Sequence, residues 1–208
     1  MKKYENGSEK MNLPFAVRRH EDMKDVLFNP DVDGPEVHYY MIRGGTDKTN
    51  ITVWESGDVG GEYIKTYGHY HVGNIGETYR IVGGDGIVLL QQRKVGSNGI
   101  PIDDEIEIFI AIKVKSGDCI FMPPRFGHLV ANIGKTWLVT IDDSPLRSTD
   151  DARLPSHANY ESVRRMRGFA YYVVNNDGKY KLIKNTSYNT VPEPQWLTVT
   201  EWGNYNKG

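Results

Sequence analysis

The sequence predicts an all-β domain, built as a sandwich or a small barrel. Short apolar runs are interrupted roughly every eight to twelve residues, and 22 glycines, 10 prolines and 13 tyrosines provide turn and strand formers. The interruptions suit tight turns, as in residues 83–86, 97–99 and 176–178, which contain Gly-Gly-Asp-Gly, Ser-Asn-Gly and Asn-Asp-Gly. This pattern predicts strands at residues 37–42, 49–54, 61–66, 78–82, 86–92, 106–114, 118–121, 129–132, 137–141, 170–174 and 179–183.

Helix is scarce in the predicted structure. Residues 20–27 and 160–167 suit a few helical turns each, too short to organise a core. A chain of 208 residues suits one domain with one buried core. We therefore expect an N-terminal arm or edge segment at residues 1–35, one β domain at residues 36–184 and an extended C-terminal arm at residues 185–208. Trp196 and Trp202 favour an arm that docks.

Composition and charge exclude several classes of partner. Twenty-five basic and 27 acidic side chains give a net charge of -2 without a long run of like charges, so nucleic acid is not expected to bind. No run of about eighteen apolar residues occurs and the first residues are polar, so we expect no membrane partner and a cytoplasmic location. The single cysteine, Cys119, precedes an apolar run and is predicted to be a small buried residue.

A His-x-His pair is the first chemical signal. Residues two apart in a strand point to the same face, so His69 and His71 present two imidazoles to one point, while Tyr70 points away and is expected to pack. Glu77 follows after a loop with two glycines, which lets its carboxylate turn back toward the pair. Two imidazoles and a carboxylate suit one divalent ion such as zinc, iron, nickel or manganese.

A second signal lies at residues 117–128. There a predicted strand ends at Pro123-Pro124, and the chain turns and delivers His128 at the start of the next strand. A third imidazole on the same lining completes a set of three histidines and one carboxylate, with positions left open as a catalytic metal site requires. Taken singly, His20, His38 and His157 are instead expected to be structural or solvent-facing.

These stretches resemble the paired motifs of the cupin superfamily. The matching residues are His69, His71, Glu77 and Gly84 in the first motif, and Gly117, Pro123, His128 and Asn132 in the second. More closely, the sequence is similar to the cupin-type glucose-6-phosphate isomerases of archaea and some bacteria. That closer match is carried by residues 17–19, 22–23, 66–71, 77–79, 122–134 and 168–169.

The resemblance implies a double-stranded β-helix, or jelly-roll barrel, with short peripheral helices, and usually a homodimer. Residues 13–17 and 196–202 are the candidates for crossing to a partner subunit. It also implies one divalent transition metal (Fe, Mn, Zn or Ni) in the barrel mouth. In the family the metal ligands match His69, His71, Glu77 and His128, and the sugar phosphate is held by groups matching Thr66, Gly68 and Tyr79. A histidine and a tyrosine of the family pocket match His157 and Tyr160, which gives His157 a pocket role in this comparison.

The activity that the resemblance implies is metal-dependent interconversion of glucose 6-phosphate and fructose 6-phosphate, a step of glycolysis and gluconeogenesis. Glu77 is the candidate base for moving a proton between C1 and C2 of the sugar. A bound cation acidifies a ligating carboxylate, so Glu77 must loosen before it takes a proton. A metal-assisted hydride shift is the rival mechanism.

Three departures from the family pattern bear on the substrate. Tyr67 occupies a place where some relatives carry lysine, and Asp142-Asp143 stands where a tyrosine is expected. Both changes weaken a phosphate site, because phosphate prefers cationic or N–H donors and an acidic pair costs binding unless it is turned away. Residues 96–107 are longer than a hairpin needs and are expected to form a solvated loop.

Other functions stay open for a cupin with such a metal site. A neutral-sugar isomerase would dispense with a phosphate pocket. A dioxygenase would use iron or nickel, an apolar substrate pocket and O₂. A sugar-binding module without turnover would be expected to carry a second, regulatory domain.

Overall fold

The computed structural model describes residues 15–44, 49–145 and 155–205 of the chain. Strands dominate these ranges. In chain order they are β1 (Phe15–Arg19), β2 (Val37–Ile42), β3 (Asn50–Trp54), β4 (Asp58–Val59), β5 (Glu62–Tyr63), β6 (Tyr70–His71), β7 (Glu77–Gly83), β8 (Asp85–Val95), β9 (Pro101–Lys115), β10 (Cys119–Met122), β11 (Phe126–Asn132), β12 (Leu138–Asp142), β13 (Ala158–Asn159), β14 (Tyr171–Asn176), β15 (Lys179–Lys184) and β16 (Gln195–Leu197). The helices are α1 (His20–Met23), α2 (Glu161–Arg165) and α3 (Val199–Tyr205).

Two larger sheets form a jelly-roll barrel around one core. The first has six antiparallel strands in the order β1-β2-β3-β12-β7-β10, and the second has four strands in the order β11-β8-β9-β16. Alternate residues of β3, β7 and β12 are buried, which is the period-two pattern of strands with one face on a core. Their inward side chains join those of β8, β9 and β11 in a single buried apolar cluster.

The remaining strands of the described residues form two smaller sheets. One has the order β15-β14-β5-β4, and the other pairs β13 with β6. The β13–β6 pair places Ala158 opposite His71, so the chain that begins at residue 155 returns to the barrel mouth. Gly84 sits at the tight turn between β7 and β8 with φ +87°, and a Cβ there would lie 2.5 Å from the carbonyl oxygen of Trp137. Only glycine fits that approach without strain.

The predicted all-β jelly roll is confirmed, and every predicted strand overlaps an observed one. The helix predicted at residues 20–27 is α1 followed by one 3₁₀ turn, and that at residues 160–167 is α2. The strand predicted at residues 61–66 was too long. It is reduced to β5, because the chain then leaves that sheet and Lys65 forms an isolated bridge with Ala131.

Two local predictions were wrong. Residues 96–107 are not a solvated loop: β8 and β9 continue as a paired ladder to Val95 and Pro101, leaving only a tight turn. Backbone hydrogen bonds from Asn189 and Thr190 to Asp104 tie this extension to the later chain. Cys119 is exposed rather than buried, since Ile120 and Met122 take the inward positions of β10.

The segments before and after the predicted domain both add strands to the barrel sheets. β1 forms an edge of the six-stranded sheet through pairing with β2, while residues 13–14 lie outside the described ranges. At the other end, β16 runs parallel to β9, and α3 places Trp202 in a buried site where its Nε1 donates to the carbonyl oxygen of Phe121 at 2.8 Å. The arm around Trp202 therefore docks on its own chain. Within the described residues, the helices are too short and too polar to cross a membrane.

Candidate metal centre and substrate pocket

Four side chains converge at the mouth of the barrel. His71 ends β6, Glu77 begins β7, His128 lies in β11, and His69 precedes β6. His69 and His128 also exchange backbone hydrogen bonds of 3.3 and 3.0 Å, which fixes the two chain segments side by side. One potential ligand atom from each of the four residues lies within 4.8 Å of all the others. The structure therefore brings together the four residues that the sequence predicted as metal ligands.

The ligand atoms of this cluster face one another. Nε2 of His69, His71 and His128 and Oε1 of Glu77 are all buried, and none makes a well-directed hydrogen bond with the described residues. Glu77 Oε1 lies 2.6 Å from His128 Nε2 and 3.6 Å from His71 Nε2. Buried polar atoms are nearly always satisfied, so four such atoms aimed at one point are the signature of a group that binds between them. A divalent metal ion fits this donor set.

The orientation of one imidazole is fixed by the protein itself. Nδ1 of His71 lies 2.9 Å from the carbonyl oxygen of Ile75, which belongs to the loop between His71 and Glu77. A ring that donates its Nδ1–H to this carbonyl turns its unprotonated Nε2 to the centre of the cluster, the usual support for a metal-binding histidine.

The electrostatics of the cluster favour the ligating protonation states. Burial, followed by the nearby His128 and His71, lowers the pKa of His69 well below 6.5. Burial and then His128 also lower the pKa of His71. For Glu77, burial opposes ionisation, but His128 and His71 outweigh it and lower its pKa to about 2. Neutral His69 and His71 beside an ionised Glu77 are the forms that bind a cation.

The predicted substrate residues line a cavity beside the cluster. Thr66, Gly68 and Tyr79 share its wall with His69 and His128. Thr66 also has a structural task, because its Oγ1 accepts a hydrogen bond of 3.0 Å from the backbone N–H of Val130.

Gly68 has a clear steric reason to be glycine. It has φ +81°, and a Cβ there would lie 2.7 Å from the ring of Phe169.

The structure also brings His157 and Tyr160 to the cluster. The ring of His157 lies 5.4 Å from that of His71, and the ring of Tyr160 lies 5.1 Å from that of His69, measured between centroids. Burial, then Tyr39, raises the pKa of Tyr160 to about 12, which keeps its hydroxyl protonated at neutral pH. His157 is buried, so the expectation of a structural or solvent-facing residue, formed for it in isolation, missed its position beside the ligands.

Other residues of the cavity wall were missed by sequence reasoning. They are Tyr39, Met41, Arg43 and Thr52. Tyr67, noted in the sequence only as a departure from the family pattern, also lines the wall, and its ring centroid lies 5.6 Å from that of Tyr160. Strand alternation contained a usable signal, because residues 39, 41 and 43 are two apart along and just beyond β2 and so share one face. The guanidinium of Arg18 lies 5.5 Å from the ring centroid of Tyr67 and 5.3 Å from that of Tyr160. The positive charge of Arg18 therefore lies against the rings of Tyr67 and Tyr160.

Asn132, the last residue of the second motif, is structural. Its Nδ2 donates to the carbonyl oxygens of Glu55 and Thr136 at 2.9 and 2.8 Å, which ties two turns to the end of β11. Tyr70 is buried as expected, and its hydroxyl accepts a 2.7 Å hydrogen bond from Nε2 of Gln91.

The fold and this site together define a cupin whose buried histidine and glutamate side chains could hold a metal ion. The family model described as glucose-6-phosphate isomerase (GPI) matches residues 36–191, and the chain belongs to this family.

Relatives of similar length carry the same name. A glucose-6-phosphate isomerase of Thermococcus onnurineus is 25% identical over 184 residues, covering 83% of this chain and 86% of the relative. One from Thermococcus gammatolerans is 27% identical over 181 residues, covering 81% and 85%. Among solved structures, CapF of Staphylococcus aureus has a TM-score of 0.37 at 17% identity over 59% of this chain and 30% of CapF.

Proposed function

We propose that this chain is a metal-dependent aldose–ketose isomerase that interconverts glucose 6-phosphate and fructose 6-phosphate in the cytoplasm, as part of glycolysis and gluconeogenesis. Membership of the glucose-6-phosphate isomerase family supports the reaction. The single observation that carries the proposal is the set of four buried ligand atoms that meet at one point, beside a small cavity lined by eleven residues. That arrangement supports a cation site next to a substrate site.

In this proposal, His69, His71, Glu77 and His128 hold one divalent transition metal per chain, with iron, manganese, zinc and nickel as the candidates. When bound, the ion supplies a fixed positive charge against the negative charge that develops on the sugar oxygens during isomerisation. The protein supplies the shape, the proton-handling groups and the exclusion of water.

The proton-handling groups proposed here are Glu77, His157 and Tyr160. Glu77 is the candidate base for transfer between C1 and C2, and its low pKa means that it accepts a proton only when its contacts with the neighbouring imidazoles loosen. Tyr160 keeps its proton at neutral pH and suits a hydrogen-bond donor to a sugar oxygen. His157, close to His71, suits the redistribution of protons between the two oxygens.

Thr66, Gly68 and Tyr79 are proposed to hold the sugar phosphate along the cavity wall. They offer a hydroxyl, a close-approach backbone and a phenol. The polar part of this wall favours a sugar over the apolar substrate that a dioxygenase would require.

The experiment that tests the function is a coupled assay of the metal-reconstituted protein with glucose 6-phosphate and with fructose 6-phosphate. We expect turnover in both directions, loss of turnover on chelation and recovery on adding back the metal. His128→Ala serves as the inactive control, and elemental analysis establishes the metal content of each preparation. Turnover of free glucose or mannose at rates equal to the phosphate esters would contradict the phosphate specificity. No turnover of any sugar by metal-loaded protein would contradict the proposal as a whole.

We further propose a homodimer formed through the outer face of the six-stranded sheet. Phe15, Tyr40 and Trp137 form a chain of aromatic rings there, with centroid separations of 6.4 and 5.9 Å. Phe15 and Trp137 are 60% and 45% exposed, and adjacent exposed aromatics of this size favour an interface.

The oligomeric state can be tested by light scattering. The expected mass is twice the 23.6 kDa of one chain. Trp137→Lys is expected to halve the mass, whereas the control Val95→Lys, at an exposed position of the other sheet, is expected to leave it unchanged. A monomer mass for the wild type at micromolar concentration would contradict the dimer.

A further inference from the structure

Arg43 is a nearly buried cation in the wall of the substrate cavity. It follows β2 directly, on the face that Tyr39 and Met41 share, and it lines the same cavity as His69 and His128. Its side chain is only 12% exposed. Arginine is among the residues least often buried, so a guanidinium at this depth needs a partner that matches its charge.

Among the described residues, the guanidinium makes few hydrogen bonds. Nε is buried and has no hydrogen-bond partner among the described residues. Within residues 15–44, 49–145 and 155–205, the hydrogen-bond partner of Nη2 is the sulfur of Met41, a weak acceptor, at 3.4 Å. Nη1 lies 3.7 Å from Oδ2 of Asp142, too far for a hydrogen bond though close enough for attraction between charges. The group is oriented, but its donors remain available.

The structure around Asp142 holds Arg43 in that orientation. Oδ1 of Asp142 accepts hydrogen bonds of 2.7 Å from Nδ2 of Asn50 and 2.6 Å from Oγ of Ser144. Asn50 in turn accepts a hydrogen bond of 3.0 Å from the backbone N–H of Gly44, the residue after Arg43. The carboxylate is therefore fixed, and one of its oxygens faces the guanidinium.

The structure changes the expected effect of Asp142 and Asp143 on phosphate binding. Asp143 is turned away from the cavity wall, since its Oδ1 accepts the backbone N–H of Thr78 at 2.7 Å. Asp142 remains, and it lies beside Arg43. The expectation that both acids weaken a phosphate site therefore omitted the cation that faces one of them.

We propose that Arg43 binds the phosphate of the sugar phosphate and sets the preference for phosphorylated over neutral sugars; this inference rests on the proposed isomerase function. A guanidinium donates two parallel N–H groups to phosphate oxygens, and free donors in a low-dielectric wall make this contact strong. His69, His128 and Arg43 line one small cavity, so a ligand group that enters it lies next to both the metal cluster and the guanidinium. Asp142 offsets the charge of Arg43 when the cavity holds no anion.

The test uses Arg43→Met, which keeps the apolar stem and removes the charge. The KM for glucose 6-phosphate is expected to rise about 10- to 100-fold with kcat within about threefold, as for loss of a hydrogen bond to a charged group. Inhibition by inorganic phosphate should weaken by a similar factor. Arg80→Met, at an exposed position on the outer face of β7, is the matched control and should change neither value.

A second variant separates binding from support of the fold. If Arg43 only neutralises Asp142, the double variant Arg43→Met/Asp142→Asn will recover both thermal stability and the wild-type KM. If Arg43 binds phosphate, the double variant will recover stability while KM stays high. A fall in kcat with unchanged KM would overturn the proposal, because it would place Arg43 at the reacting oxygens instead.

Calorimetric titration of the metal-loaded protein with inorganic phosphate gives a result that does not depend on turnover. Binding by the wild type and its loss in Arg43→Met supports the anion site even if no isomerase activity is found, so that the two proposals fail separately. Equal binding by both proteins, or no binding by the wild type, overturns the role of Arg43.

Discussion

Replacing Thr66 with valine tests the phosphate end of the pocket and also has a structural cost. The substitution keeps the β-branched shape and deletes one hydroxyl. That hydroxyl lines the substrate cavity, and its oxygen accepts the backbone N–H of Val130 at 3.0 Å. The backbone N–H of Thr66 donates to the carbonyl oxygen of Val130 at 2.9 Å, so one backbone hydrogen bond between Thr66 and Val130 survives the change.

Two separate magnitudes follow from these contacts. Leaving the N–H of Val130 without an acceptor costs about 1–3 kcal/mol of stability. Losing a hydrogen bond to a charged phosphate costs about 1.5–3 kcal/mol in kcat/KM, roughly a 10- to 150-fold decrease. The first cost appears in the free energy of unfolding whatever the substrate, while the second appears only with phosphorylated sugars.

The two effects are separated by measuring both quantities in two variants. Urea unfolding gives the stability, and the coupled assay gives kcat/KM for glucose 6-phosphate and for any neutral sugar that the wild type accepts. Thr66→Ser keeps the hydroxyl and is expected to stay near the wild type in both measurements. If Thr66→Val lowers stability but leaves kcat/KM for glucose 6-phosphate unchanged, the hydroxyl is structural only and the phosphate role of Thr66 is refuted.

Three further outcomes are expected. The purified, reconstituted protein should carry about one transition metal per chain and lose activity on chelation, and native mass spectrometry that detects no metal would contradict the site. His128→Ala should lose more metal affinity than His157→Ala in calorimetric titrations, and equal losses would mean that one histidine is assigned wrongly. His38 is fully buried, and burial, followed by His20 and Lys65, lowers its pKa from 6.5 to about 4. The unfolded chain therefore binds a proton that the folded chain excludes, so stability is complete above pH 6.5 and falls as the pH decreases toward 4. His38 is expected to account for about 2 kcal/mol of the loss between about pH 7.5 and 5, so His38→Gln should lose about 2 kcal/mol less than the wild type, and urea titrations showing the same loss in both proteins would refute this assignment.

The strands could be predicted because their signal is local. The alternation in β3 and β12 follows from one face meeting a core, and turn formers mark where the chain reverses. The lengths of the strands were less predictable, since they depend on the neighbouring strands with which they pair. β9 extends from Pro101 to Lys115 because β8 pairs with it along that length. Polar residues such as Asp103 and Asp104 made the first part of this strand resemble a loop in the sequence. Cys119 was placed wrongly for the same reason, because the register of β10 against β7 decides which residues face inward.

The sequence by itself determined the class of fold and the four candidate metal ligands. The fold class and the ligands can both be recognised from residue spacing along single strands and from sequence motifs, as with His69 and His71. Only the tertiary structure decided what surrounds them. Arg43 and Asp142 are 99 residues apart in number, and their proximity follows from the order of β2, β3 and β12 in one sheet. Charge and hydrogen-bond balance in a cavity are set by such distant pairs, and these are fixed by strand order and register, which no local pattern encodes.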